Sequence, residues 1–197
     1  MDSDLWIQIL ELVVLLTLSG FFSSAETAMV SVSKIRLRTL EEEGNKKAAL
    51  ALKILENQSK MLSAILIGNN LVNTSAASIA SVIAYSFGGA AVSIATFIIT
   101  FLILVFGEIT PKTWATINAD KLALAYAPII IFLMKILTPV IWFVNLFSSG
   151  ILKLMGIQNS NKNISMTESE LRTIVDVSHE EGVIEEDEKD MINKVFD

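Results

Sequence analysis

The stretch MLSAILIGNNLVNTSAASIASVIAYSFGGAAVSIATFIITFLILVFG, residues 61–107, holds no charged side chain over forty-seven positions, and Glu108 follows it within Gly107-Glu108-Ile109-Thr110-Pro111-Lys112. A bilayer core about 30 Å thick takes roughly 20 apolar residues per helical span, so the run is long enough for two. Gly88-Gly89, after Tyr85-Ser86-Phe87, is the place to turn. A carboxylate where the second of these spans ends is costly in or near hydrocarbon, and marks either an ion path or a polar contact inside a bundle.

Upstream, Leu5 to about Val30 reads as another span, with Trp6 at an interfacial position and Glu11 near its outer end. Residues 31–60 then carry Lys34, Arg36, Arg38, Lys46, Lys47, Lys53 and Lys60. Seven basic residues in a short loop, against none before residue 31 and none in the Gly88-Gly89 turn, put that loop in the cytoplasm and the N-terminus outside. The loop itself divides at Gly44-Asn45 into two amphipathic helices within 33–58, with Leu37, Leu40, Leu50, Ile54 and Leu55 as apolar faces.

Downstream, residues 122–156 are apolar but interrupted by Pro128, Lys135, Pro139, Asn145 and Lys153. Proline removes a backbone donor and blocks the carbonyl four residues back, so this segment is expected to break into shorter helices, re-entrant or lying at the interface. A polar linker, Gln158 to Asn163, leads to Thr167-Glu168-Ser169-Glu170, which opens a helix as a capping box, and a second acidic helix is expected near Glu185, after Gly182. The chain stops at Asn193–Asp197 without a cap, as a chain continuing into a further domain would. The fold expected is an all-α integral membrane protein with three transmembrane helices, at about 5–30, 61–87 and 90–111. A broken juxtamembrane or re-entrant helix and a cytoplasmic acidic helical segment complete it, with domains at 1–156 and 157–197.

Composition agrees, with 52% hydrophobic residues and a mean hydropathy of +0.57. No cysteine is present and His179 is the lone histidine, which excludes disulfides, thiolate sites and a histidine-built zinc centre. The net charge of −6 belongs to the tail: residues 1–160 hold eleven basic against ten acidic groups, residues 161–197 four against eleven. No basic patch suggests nucleic acid, and no signal-peptide pattern marks the first hydrophobic stretch for removal. A multi-pass protein of the inner or plasma membrane, in contact with the lipid bilayer, is expected.

The spans are unusually polar at a few positions. Ser19, Ser23 and Glu26 share one helical stripe, with Gly20 and Ser24 beside it. Asn69 and Asn73 align on the next span, with Asn70 within reach. Glu108 belongs to the third span, where Pro111 cannot donate to the carbonyl of Gly107 and leaves that oxygen free. Polar groups in hydrocarbon must find partners. Hydroxyl, amide, carbonyl and carboxylate oxygens together form the donor set of a hard cation such as Mg²⁺, Ca²⁺ or Na⁺. The competing reading is interhelical glue, at about 0.6 to 2 kcal/mol per contact. Asn69 ranks lowest of the three amides as a ligand, since three from one helix exceed what a small ion usually takes.

Ser19-Gly20-Phe21-Phe22-Ser23-Ser24-Ala25-Glu26-Thr27-Ala28, Ile67-Gly68-Asn69-Asn70-Leu71-Val72-Asn73 and Gly107-Glu108-Ile109-Thr110-Pro111-Lys112, in this order, resemble the CNNM/CorC family of magnesium transporters. The likeness covers essentially the whole chain. It implies a homodimer, a magnesium site on Ser19, Ser23 or Ser24, on Asn69, Asn70 and Asn73 and on Gly107-Glu108, and a cytoplasmic CBS-pair domain beyond the end of this chain. It also implies that Glu180, Glu181, Glu185, Glu186, Asp187, Glu188 and Asp190 belong to an acidic bundle whose charge Mg²⁺ relieves.

The function expected on these grounds is Mg²⁺ export coupled to Na⁺ or H⁺, without reaction chemistry. The alternatives are a Mg²⁺-sensing membrane regulator that does not transport, and a structural scaffold. An intramembrane hydrolase is disfavoured because no span holds a histidine or cysteine, and Ser23 has no base nearby except Glu26 or Glu108.

Overall fold

The computed structural model describes residues 2–155, 168–180 and 182–196, and every regular element among them is helical. Residues 1–149 and 150–197 form two compact units. The first opens with α1 (Asp2–Ser31), followed by the short helices α2 (Lys34–Glu42) and α3 (Lys46–Leu55) and the long α4 (Gln58–Tyr85). After a turn at Gly88, whose φ of +108° requires a residue without Cβ, comes α5 (Gly89–Leu102). α5 runs on without a break through a π-helical segment (Ile103–Ile109) into α6 (Thr110–Ile117).

Among the described residues, two helices are long and apolar enough to cross a bilayer: Asp4–Ser31, with mean hydropathy 2.0, and Ala91–Ile117, with 2.4. The second is longer than the 90–111 expected, because Pro111 falls in the first turn of α6, where its missing N–H is tolerated, and the helix continues. α4 has the length, at 28 residues, but Asn69, Asn70 and Asn73 dilute its apolar character below that of the other two. Large apolar side chains stay exposed along these helices, among them Leu10, Val13, Ile94, Phe97, Ile98 and Phe101, as expected of a lipid-facing surface.

α7 (Ala119–Ile136) and α8 (Thr138–Leu154) meet at 67°, as one broken span or a re-entrant pair would. The break lies just before Pro139, which cannot donate to the carbonyl of Lys135. Pro128 does not break the chain but sits inside α7, as prolines do in membrane helices whose neighbours take up the freed carbonyl.

The α2–α3 hairpin turns at Gly44, whose φ of +87° again favours glycine, and Asn45 caps α3 by accepting from the amides of Lys47 (3.0 Å) and Ala48 (3.3 Å). Leu37, Ala48, Ala51, Ile54 and Leu55 are buried in one core with Met29 of α1, Val32 just beyond it, and Ile130 and Met134 of α7. An ion pair at 2.8 Å, Arg36 to Asp120, joins α2 to the start of α7. Asn45→Ala is expected to cost about 1 kcal/mol. At this chain length that lowers the melting temperature by about 2–4 °C, measurable by thermal unfolding in detergent.

The second unit contains α9 (Glu168–Glu180) and α10 (Glu186–Phe196), joined by Gly182 at φ +73° and by an ion pair at 2.8 Å between Lys189 and Asp176. The Glu185 amide donates to Glu188 Oε2 at 2.9 Å, one half of a capping box at the start of α10. The linker at 158–163, the cap at Thr167, and Glu181 lie outside the described residues.

Candidate cation site between the helices

The π-helical segment carries Gly107 and Glu108, and at its end the Thr110 amide donates to the carbonyl of Val105, five residues back. Pro111 leaves the Gly107 carbonyl without its usual helical donor, and Ser19 Oγ reaches that oxygen at 3.5 Å, the outer limit of a hydrogen bond. Turns of this widened kind often occur at functional sites, because they free backbone carbonyls. The approach of α1 is close: a Cβ on Gly107 would lie 2.5 Å from Ser19 Oγ, and one on Gly20 would lie 3.2 Å from the Phe106 carbonyl oxygen and from Pro111 Cγ. On the other side of α1, the Phe22 ring fills the space that a Cβ on Gly68 of α4 would take. Small residues thus place α1 directly against both α4 and the π segment.

These contacts bring the candidate residues into one band. Measured along each helix from the end that bears the α2–α3 hairpin, at 1.5 Å per residue, Ser23, Glu108, Gly107, Asn69 and Ser19 sit roughly 12 to 18 Å deep and Asn73 roughly 22 Å. Ser19, Ser23 and Ser24 are all buried, at 1%, 0% and 2% exposure. Among the described residues, three buried side-chain oxygens have no hydrogen-bond partner: Ser23 Oγ, Asn69 Oδ1 and Asn73 Oδ1. Each such orphan costs about 1–3 kcal/mol, so three on two packed helices are a large local penalty unless a ligand relieves it.

The remaining candidates separate by their surroundings. Ser24 Oγ donates to the Phe21 carbonyl (3.0 Å) and lies 3.2 Å from the Tyr126 hydroxyl of α7, so its hydrogen bonding is satisfied away from the orphaned oxygens. Tyr126 also sets its ring edge-on to Phe21, with centroids 4.9 Å apart, and fastens α7 to α1. Asn70 is exposed. Asn69, ranked lowest from sequence, is on the inside with Asn73. Helix rotation decides this, because the α4 face buried by Ile65, Gly68, Val72 and Ala76 brings Asn69 and Asn73 along its flank and turns Asn70 away. Glu108 is half-buried, and among the described residues no hydrogen bond or ion pair reaches its carboxylate. Glu26 pairs with Lys112 at 3.2 Å. Lys112 belongs to the quoted Gly107–Lys112 motif, but its pairing with Glu26, like the role of Tyr126, is revealed only by proximity in space.

No three His, Cys, Asp or Glu side chains gather into a metal-holding group among the described residues. The buried or half-buried donors on α1, α4 and the π segment are hydroxyl, amide and carbonyl oxygens and one carboxylate, chemistry suited to a hard cation. A helical membrane domain with unpartnered buried oxygens on two packed helices is the class that fold and site define.

The chain belongs to the CNNM family: the cyclin M transmembrane N-terminal domain matches residues 10–188. It is 44% identical over 165 residues to a UPF0053 protein of Haemophilus influenzae, covering 83% of this chain and 39% of that protein. It is 34% identical over 182 residues to the UPF0053 inner membrane protein YfjD of Escherichia coli, covering 91% of this chain and 42% of that protein. A polyamine export protein of Haemophilus influenzae is 28% identical over 211 residues, covering 100% of this chain and 49% of that protein. The chain thus spans less than half the length of each of these relatives.

Proposed function

We propose that the protein is a Mg²⁺ transporter of the membrane, with the ion held between Ser19, Ser23, Asn69, Asn73, the Gly107 carbonyl and Glu108. The observation that carries this reading is the trio of orphaned buried oxygens on Ser23, Asn69 and Asn73, and Glu108, the only carboxylate between Lys60 and Pro111, supports it by its charge. Three spans, α1, α4 and the α5–α6 helix, enclose the site. The basic α2–α3 hairpin faces the cytoplasm by the positive-inside rule. The chain works as a homodimer.

Transport runs outward and is coupled. Moving a divalent cation against an inside-negative potential costs about 4.6 kcal/mol per 100 mV, at 2.3 kcal/mol per charge, so net export requires inward Na⁺ or H⁺. No chemical reaction is proposed. The name of the polyamine-exporting relative supports a second cargo, a linear polycation. The single carboxylate among the candidate donors favours a small ion, since an extended polyamine needs several separated anionic partners.

Vesicles loaded with a Mg²⁺-sensitive dye test the reading. Mg²⁺ flux that grows with an opposing Na⁺ or H⁺ gradient, and that spermidine does not replace, supports it. Mg²⁺-dependent thermal stabilisation without flux supports the sensing regulator instead. Absence of both reduces the polar cluster to interhelical glue.

A further inference from the structure

We propose that Glu26 and Lys112 form the latch of a loading vestibule at the hairpin end. Glu26 is the first carboxylate that an incoming hydrated divalent cation meets, and the Lys112 ammonium holds that position until the cation displaces it. The inference rests on the Mg²⁺ reading above and adds a second, outer cation position to it.

Glu26 lies on α1 one turn from Ser23 toward the hairpin end, roughly 8 Å from where α1 stops. Its carboxylate is 3.2 Å from Lys112 Nζ, and the two side chains remain 37% and 44% exposed. Exposed pairs of this kind contribute little to stability and exchange readily with solvent and ions. With the pair closed, the vestibule carries no net charge. A divalent cation gains more from Glu26 than one ammonium does, and repels Lys112 as it arrives.

The same carboxylate lines a cavity of about 520 Å³ together with Gln58, Ser59, Leu62, Ser63 and Leu66 of α4. Six waters at about 30 Å³ each fill roughly 180 Å³, so the cavity admits Mg²⁺ with its hydration shell intact. That matters because Mg²⁺ sheds water reluctantly. Capture and dehydration then occur at different depths, first beside Glu26 and then among the orphaned oxygens.

Two features of α4 lead from one position to the other. Residues 59, 63, 66, 70 and 73 fall on one helical face, and four of them, Ser59, Ser63, Asn70 and Asn73, carry side-chain oxygens. The hydroxyls of Ser75, Ser78 and Ser81, farther along the helix, donate to carbonyls four residues back at 2.8 to 2.9 Å. Those of Ser59 and Ser63 make no such bond among the described residues, and stay open to a hydrated ion. Asn70, exposed and apart from the inner cluster, belongs to this path.

The test is the initial rate of Mg²⁺ uptake from the hairpin side in vesicles holding the full chain, at subsaturating Mg²⁺ and across a KCl series. Lys112→Met is expected to raise the rate about three- to tenfold, and Glu26→Gln to lower it about tenfold and flatten its salt dependence, since a charge at the mouth of a site acts on capture. Lys112→Arg, which keeps the charge and grips a carboxylate with two parallel bonds, is expected to slow uptake, and keeps the test decisive if Lys112→Met does not fold. The opposite signs are the signature. A merely structural pair makes both single substitutions act in the same direction and in step with lost thermal stability, and that result overturns the latch, as does an unchanged rate in all three variants. If the unmodified chain shows neither uptake nor Mg²⁺-dependent stabilisation, the transporter reading itself fails.

Discussion

Glu108→Gln is expected to remove the Mg²⁺-dependent rise in thermal stability while the helices stay folded. The carboxylate is half-buried and, among the described residues, makes no hydrogen bond or ion pair, so the substitution breaks no internal bond and deletes only a charge. At an effective dielectric constant of 20, two unit charges 4 Å apart interact by about 4 kcal/mol. Even after a generous discount for the ion's own hydration, affinity should fall on the order of a hundredfold. For the unmodified protein, Mg²⁺ at a hundred times its dissociation constant contributes about 2.7 kcal/mol of stability. That corresponds to a shift of about 5–10 °C, which the variant lacks at the same concentration. Thermal unfolding in detergent across a Mg²⁺ series measures it. A variant that unfolds easily yet still responds to Mg²⁺ would return Glu108 to the role of interhelical glue.

The second large effect is expected from Gly107→Ala. A Cβ there meets Ser19 Oγ at 2.5 Å and Ser19 Cβ at 3.2 Å, so the π segment must move away from α1, and overpacking of this kind costs about 1–3 kcal/mol. The displacement also separates the Gly107 carbonyl from Ser19, so the Mg²⁺ response is expected to be lost along with stability. Adding Ser19→Ala removes the nearer clash and should recover part of the stability without recovering the Mg²⁺ response. Such non-additivity is the mark of two residues in contact. Gly150→Ala is the control: nothing lies within 4 Å of its Cβ, and α8 should tolerate or gain from it. Equal effects at Gly107 and Gly150 would remove the close approach of α1 as the explanation.

Local chemistry made much of this architecture readable in advance. Gly44 and Asn45 part α2 from α3 because a positive φ and an amide cap are written into those two residue types. Gly88 turns α4 into α5 for the same reason. That Pro111 cannot be the donor to the Gly107 carbonyl follows from the proline alone. What could not be read depends on how helices rotate against each other. Ser19, Ser23 and Ser24 are equivalent as hydroxyls, and only the presence of Tyr126 on α7 draws Ser24 out of the set. Asn69 and Asn70 differ by one position, about 100° of rotation, and the small-residue face of α4 decides which is enclosed. Glu26 shares a stripe with Ser23, yet its partner is a lysine 86 positions away. The π segment left no periodic signature in the sequence, since one extra residue in a turn is invisible against a uniformly apolar background.

The polar composition of α4 also has a consequence for biogenesis. On the three-span reading, α4 leaves the ribosome carrying three amides, two of them with oxygens that find no partner in the folded chain, and it is less apolar than α1 or the helix that follows. Its membrane insertion therefore depends on α5, which is joined to it by only three residues, Ser86 to Gly88, and belongs to the most apolar helix of the chain. The two are expected to enter the bilayer as one helical hairpin, with α5 dragging α4 in. A nascent chain arrested before α5 emerges should leave α4 at the interface. The same polarity that the proposed ion site draws on is thus expected to delay integration of α4 until the next helix is made.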